Sequence, residues 1–498
     1  MNVNPITRLD YPDLDVIRVE DTYYMVSTTM HFMPGCEILQ SFDLVHWEHV
    51  TYVYETLDHT DAQQLKSGQN IYGQGMWAAS LRYHEGRFYI CFVANDTRKT
   101  YLYTSEKIDG PWKKQLIEGF YHDGSLLFDE DGRNYIVYGN DEIWITELNE
   151  DLTAPKKDGL HRLLVSDHKN PELGYEGSHI QKINGYYYIF LVHSLRDRWM
   201  RTEACFYSDS LEGEFTGGDV LCDDRGYCGQ GVAQGGIVDT PDGKWYAMLF
   251  QDSGAVGRIP ILLPVTWKDH FPFFGQNGHV PEEIEVHSTR PGYIYRPLVG
   301  SDDFCNGLLP RWQFNHDPDP RYYHLDALQG TYTITTREVC TELTQAVNTL
   351  TQRMSYPSCA AEVTVDASAL KEGDVAGLCA LQSCYAAVGI TKHHGKYEVL
   401  MLDKKEDGIL DMTEGTVVES HQMDFRLEAD FCNMKDEARC YYRVNKGDWL
   451  PIGTVHKLYF KLDHFTGCRF GLFCYAAEET GGSACFRDFK YYDVDEIS

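Results

Sequence analysis

Asp13, Asp123 and Glu176 stand at matching points of a recurring phrase, in register with Trp77 and Gln234. Two carboxyl groups facing one another across a bound sugar can break a glycosidic bond. One protonates the leaving oxygen while the other activates water or attacks the anomeric carbon. A third acid nearby raises, by like-charge repulsion, the pKa of the group that must keep its proton. A tryptophan supplies a flat apolar wall for a sugar ring. A lone Asp at the start of a strand is usually a turn former or a cap, but three acids in one phase with a Trp call for a shared site.

The phrase that sets this phase is a polar turn followed by an aromatic-rich apolar strand. Its copies are Asp21-Thr-Tyr-Tyr-Met, Glu85-Gly-Arg-Phe-Tyr-Ile, Asp131-Gly-Arg-Asn-Tyr-Ile, Asn184-Gly-Tyr-Tyr-Tyr-Ile and Asp242-Gly-Lys-Trp-Tyr-Ala. Asx-Gly between two strand-like runs is a strong hairpin signal. The last Tyr of each copy is Tyr24, Tyr89, Tyr135, Tyr188 and Tyr246, at intervals that suit one four-stranded blade each. Eleven or twelve residues earlier lie Asp13, Trp77, Asp123, Glu176 and Gln234, where the innermost strand of each blade should begin. Five blades closing round an axis bring these positions together. Helical periodicity of the kind a parallel α/β fold needs between its strands is missing. The expected architecture is all-β, a five-bladed propeller over residues 1–296 followed by a second unit over 301–498.

The chain has 498 residues, enough for two cores without staples. Its 75 acidic against 44 basic residues give a net charge of −31, which disfavours nucleic acid and anionic membranes as partners. Fifteen cysteines, scattered and without paired metal-ligand spacing, suit reduced thiols. His393-His394, beside Gly395, sits in a turn signature and is not read as a metal pair. Residues 1–7 carry neither a basic start nor an apolar run, and no stretch of about 18 apolar residues follows, so a cytoplasmic protein is expected. No Gly-rich phosphate loop suggests a nucleotide. A homo-oligomer remains open.

The ordered motifs Asn4-Pro-Ile, Tyr11-Pro-Asp-Leu-Asp, Ser41-Phe-Asp-Leu-Val-His-Trp, Met76-Trp-Ala-Ala-Ser, Tyr175-Glu-Gly-Ser-His and Gly235-Gly-Ile-Val-Asp resemble glycoside hydrolase family 43. Asp302-Asp-Phe with Trp312-Gln-Phe-Asn-His is similar to the start of the β-sandwich, of jelly-roll or concanavalin-like type, that follows the propeller in the family's β-xylosidases. The resemblance implies an inverting exo-hydrolase that releases xylose, or α-L-arabinofuranose, from the ends of xylo- or arabinoxylo-oligosaccharides. It implies Asp13 as general base, Glu176 as general acid and Asp123 as the acid that tunes the pKa and orients the site. Trp77 and Phe32 match aromatic positions of the sugar pocket, Arg258 matches an arginine that hydrogen-bonds sugar hydroxyls, and Gln234 stands where many members carry a His near a bound cation. No cofactor is required, and the sequence does not support calcium. Asp15 is a rival for the base; the motif and the repeat phase both favour Asp13.

Short alternating runs after residue 301, such as Gly330–Thr336, Tyr397–Leu402 and Leu458–Asp463, read as strands of the sandwich, with Thr289-Arg-Pro-Gly and Gly300-Ser-Asp-Asp as the connection. This unit is expected to close one end of the channel; a separate carbohydrate-binding module is the alternative. Two other readings stand beside the inverting hydrolase. One is a sugar-binding propeller without activity, which has no use for three converging acids. The other is a retaining hydrolase with one acid as nucleophile.

Overall fold

The computed structural model describes residues 2–413 and 415–493. Five four-stranded antiparallel sheets occupy the first part of the chain, and each runs in sequence order from the inside outward. Their innermost strands are Asp15–Val19, Met76–His84, Ser125–Phe128, Glu176–Ile183 and Val232–Asp239, and these touch one another in a closed ring. The phrase that marked the repeat is the turn and second strand of each blade. Tyr24, Tyr89, Tyr135, Tyr188 and Tyr246 all fall on second strands, and Tyr135, Tyr188 and Tyr246 are buried between blades. In the fourth blade the hairpin is closed by Asn184 and Gly185 at φ of 50° and 85°, the left-handed pair a two-residue turn requires. The ring is tied shut by Arg18 of the first blade, which donates to Asp239 of the fifth, Nε to Oδ1 at 3.1 Å, and by a short ladder pairing Asn2–Val3 with Glu283–Ile284.

A concanavalin-like β-sandwich follows, made of a nine-stranded and a seven-stranded sheet over a core that includes Leu350, Leu378, Val388, Phe425, Phe470 and Phe486. Thr331–Thr335 and Lys396–Lys404 are strands, where alternating runs were expected. Leu458–Asp463 is not. The preceding strand ends at Lys457 and the run becomes a loop toward the propeller. Its alternation is real but serves two surfaces: Leu458 fills the sandwich core, whereas Phe460 reaches under Arg258. Residues 494–498, included in the expected second unit, lie outside the described residues.

The two units interlock. Between two strands of the first blade the chain detours through Phe32–Met33, which leaves its own sheet and pairs with Gln313–Asn315 at the edge of the nine-stranded sheet. Arg353 of the sandwich donates to Glu37 Oε2 at 2.9 Å and to the Asp10 carbonyl at 2.9 Å, with its guanidinium 4.1 Å over the Tyr11 ring. Ala255, Val256 and Ile259 of the fifth blade belong to the same continuous core as the sandwich strands. Among the described residues no helix is long and apolar enough to cross a membrane.

Candidate functional site

Asp13, Trp77, Asp123, Glu176 and Gln234 all line one pocket of about 410 Å³ at the end of the channel where the innermost strands begin. The backbone is bent at this rim to aim them. Asp13, Asp123 and Gln234 have φ of 52°, 49° and 63°, a left-handed conformation that costs on the order of 1 kcal/mol in a residue with a Cβ and is held by the surrounding sheet. The innermost strands of the second, fourth and fifth blades each shift register beside their pocket residue, between Met76 and Ala79, Glu176 and His179, and Ala233 and Gly236. Such bulges turn a side chain out of the regular alternation. A Cβ on Gly177 would come within 2.8 Å of Gln234 Cγ, so glycine is needed there for both neighbouring blades to reach the pocket.

Each acid has a distinct setting. Asp13 accepts from Thr28 Oγ1 at 2.7 Å and from Arg258 Nη1 at 3.0 Å. Asp123 is buried and accepts the Gly177 N–H at 2.9 Å. Burial, opposed by His122 and reinforced by the charges of Glu176 and Asp13, pushes its carboxyl up to about 6. Glu176 is the most open of the three and accepts from Asn140 Nδ2 at 2.8 Å. His122 stands between Asp123 and Glu176, its Nε2 3.5 Å and 3.6 Å from their oxygens.

Asp15 belongs to a different arrangement. It is only 1% exposed, and burial, which raises its pKa, is outweighed by Arg82 and His179, so that its carboxyl sits at about 2. Arg82 Nη1 donates to Asp15 at 2.7 Å, and its other nitrogens reach Leu126 O, Ser125 Oγ and Ile180 O, tying the innermost strands of four blades together at the axis. Asp15 accepts the Leu81 N–H and faces His179 Nδ1 as well. The Asp15 carboxylate at the axis is thus engaged by a guanidinium. Beyond this plug the channel opens on the other side as a cavity of about 400 Å³ that holds none of the three acids.

Arg258 lines the pocket; its Nη1 and Nη2 reach Asp13 Oδ1 and, at 3.3 Å, the Phe465 carbonyl, and its buried Nε has no partner among the described residues. Phe32 does not reach the sugar pocket. It is buried among sandwich residues such as Leu381 and Phe473, with Arg469 stacked 3.4 Å above its ring, because the strand it sits on has paired with the sandwich. The residue that does supply a second aromatic face is Phe465, whose ring meets Trp77 edge to face at 5.6 Å. Leu462 of the same sandwich loop lines the mouth.

Phe465, Leu462, Arg201, Asn140 and His122 were not singled out from the sequence. Arg201 enters from a third strand, its Nε held by Asp252 Oδ2 at 2.8 Å. Asn140 ends a second strand. Neither position shares the repeat phase. Only His122 had a signal, as the neighbour of Asp123 in His-Asp-Gly-Ser. In the sandwich, Glu372 approaches His393 and His394, with one ligating atom of each within 4.8 Å of the others, at the turn read from the sequence.

Behind the pocket loop, His31, His316 and His464 pack against Tyr72 without water access; Tyr72 stacks on His464 at 3.9 Å. His316 Nε2 accepts the Ile71 N–H at 3.0 Å, and neither His31 nitrogen has a partner among the described residues. Burial holds all three far below the usual histidine range; His316, His464 and Arg469 add to this for His31, and for His464, at about 3, Asp463 opposes. The unfolded chain takes up these protons near pH 6.5 and the folded chain does not, so each histidine removes stability as pH falls below 6.5. Asp123, Asp317, Asp374 and Asp436, raised to about 6, act in the opposite sense over pH 6 to 4. The difference between variants therefore isolates the effect. His31→Phe is expected to gain about 2 kcal/mol over the parent between pH 7 and pH 5, read from urea unfolding at both pH values; a pH-independent difference would contradict it.

Sequence and fold similarities place the chain in a family. The model for Glycosyl hydrolases family 43 matches residues 3–272, more than half of the chain, and that for the Beta xylosidase C-terminal Concanavalin A-like domain matches residues 301–492. A bifunctional GH43-CE protein of Bacteroides eggerthii has a solved structure that superposes with a TM-score of 0.93 at 42% identity, covering 99% of this chain; the chain spans 64% of that protein's length. A beta-xylosidase of Formosa agariphila is 26% identical, with 99% of this chain and 89% of that protein covered. A xylosidase/arabinosidase of Butyrivibrio fibrisolvens is 23% identical, with 99% of each covered. With a five-bladed propeller that gathers three carboxyl groups at one rim and a concanavalin-like partner closing on it, the chain belongs to glycoside hydrolase family 43.

Proposed function

We propose that the protein is an exo-acting, inverting β-xylosidase that removes xylose from the non-reducing ends of β-1,4-xylo-oligosaccharides. The observation that carries this reading is the gathering of Asp13, Asp123 and Glu176 in a pocket walled by Trp77 and capped on one side by Phe465 and Leu462 of the sandwich. A capped pocket admits a chain end, not the middle of a polymer. Asp13, oriented by Thr28 and Arg258, takes a proton from water as the water oxygen attacks the anomeric carbon. The bond to the leaving oxygen breaks, and Glu176 supplies the proton that oxygen needs. Asp123, buried beside Glu176 and fixed by the Gly177 N–H, orients the acid side of the pocket. The chemistry calls for no cofactor.

The relatives named beta-xylosidase and xylosidase/arabinosidase support xylan fragments as substrates, and the second supports α-L-arabinofuranose as an additional terminal sugar. The net charge of −31 favours such neutral partners over nucleic acid or anionic membrane. Fifteen free thiols suit a reducing cytoplasm. The test combines rates on 4-nitrophenyl β-D-xyloside and α-L-arabinofuranoside with proton NMR of the first-formed sugar. The xyloside should be the faster substrate and the initial product α-xylose; β-xylose would overturn the single displacement.

A further inference from the structure

The reaction proposed above gives His122 no task, although it occupies the centre of the acid cluster. Its ring lines the pocket and meets Trp77 edge to face at 5.8 Å. Its backbone carbonyl accepts the Gly139 N–H at 3.0 Å, which anchors the turn before Asp123. Nε2 is buried and points between Asp123 Oδ2 and Glu176 Oε2, with no closer acceptor among the described residues. Both neighbours are acids, so a neutral ring here would leave two carboxyl groups facing each other unscreened.

We propose that His122 is a positioning residue whose imidazolium, held between Asp123 and Glu176, stabilises the carboxylate that Glu176 becomes when it gives up its proton. The proposal rests on Glu176 being the general acid. The charge of Asp123, reinforced by Glu176 and Asp13 against the cost of burial, pushes the imidazole up to about 9, so the cation persists across the neutral range. Its attraction to Glu176 is weak while that carboxyl is protonated and grows as the proton passes to the leaving group. The interaction is therefore stronger in the transition state than in the ground state, the condition for lowering the barrier.

The other groups facing Glu176 are accounted for. Asp123 and Asp13 are themselves acids and bring no positive charge. Arg201 is bound to Asp252, Arg258 is bound to Asp13, and Asn140 is neutral. His122 is the one cationic side chain within 4 Å of Glu176 among the described residues. Removing its charge therefore makes Glu176 hold its proton to higher pH.

The test is the pH dependence of kcat/KM on xylobiose for the parent, His122→Gln, His122→Lys and Glu176→Gln. In the parent the alkaline limb reports loss of the Glu176 proton, and it should vanish in Glu176→Gln. In His122→Gln the limb should move up by about one pH unit, with a plateau lowered roughly tenfold. His122→Lys, which restores a cation, should bring the limb back toward the parent position. An unmoved or lowered limb in His122→Gln, or the same limb in His122→Lys as in His122→Gln, would overturn the proposal and leave His122 a packing partner of Trp77. A limb that survives in Glu176→Gln removes the acid assignment and this proposal with it. Melting curves of each variant separate lost charge from lost fold.

Discussion

Glu176→Gln is expected to lower kcat/KM on xylobiose by roughly 10² to 10⁴-fold, the range that a positioned general acid contributes. The amide keeps the shape of the side chain and its contact with Asn140 but has no proton to give. The loss should follow the basicity of the departing oxygen. A sugar alkoxide cannot leave unprotonated, whereas 2,4-dinitrophenolate can, so the dinitrophenyl xyloside should lose far less. Asp13→Asn removes the base that takes the water proton and should slow both substrates alike. It also removes the charge facing Arg258 Nη1, leaving a guanidinium that is 2% exposed without its carboxylate. Part of its loss will therefore appear as lower thermal stability. Measuring kcat/KM for both variants on both substrates decides the roles. An equal loss on the two leaving groups in Glu176→Gln would remove that residue as the acid. Hydrolysis unaffected in Asp13→Asn, with sugar binding lost, would favour a binding protein.

A chain ending at residue 300 should yield no folded propeller. Without the sandwich, Phe32–Met33 loses its ladder partner and Ala255, Val256 and Ile259 lose the core they share. Glu37, 3% exposed, loses Arg353 and keeps only His49 at 3.0 Å. Stranding one member of a buried ion pair costs about 3 to 5 kcal/mol, and each large apolar side chain returned to water about 1.5 to 3 kcal/mol. Together these match the whole stability of an ordinary domain, about 5 to 15 kcal/mol. Soluble yield and circular-dichroism melting would check this. A cooperative transition at the parent's temperature, with unchanged rates on nitrophenyl pentosides, would show that the sandwich is an independent appendage.

The repeat was legible because a propeller writes each blade in local terms. Every copy needs its own hairpin turn and its own buried second strand, so Asn184-Gly185 and the tyrosine series recur in the chain as they do in space. The phase of that repeat sufficed to pick Asp13, Trp77, Asp123, Glu176 and Gln234, since equivalent strand starts converge on one axis. Phe32 was misplaced for the opposite reason. Its sequence neighbourhood is that of the pocket, but a long-range ladder with Gln313–Asn315 captured its strand. Leu458–Asp463 alternates as a strand does, and nothing local reveals that its residues are shared between a sandwich core and a cation of another unit.

The sequence by itself determined the number of blades, the presence of a second β unit, and the three acids with the tryptophan beside them. Each of these is set by residue type and spacing within some tens of residues. The tertiary structure decided which groups surround those acids. Phe465 reaches Trp77, and Arg258 the Phe465 carbonyl, across hundreds of residues of chain. It also decided their charge states. Burial raises Asp123, the guanidinium of Arg82 lowers Asp15, and the charge of Asp123, foremost among its acid neighbours, holds a proton on His122. Ionisation depends on what lies within a few ångströms and on how much water is excluded, and neither quantity exists until the blades and the sandwich have closed.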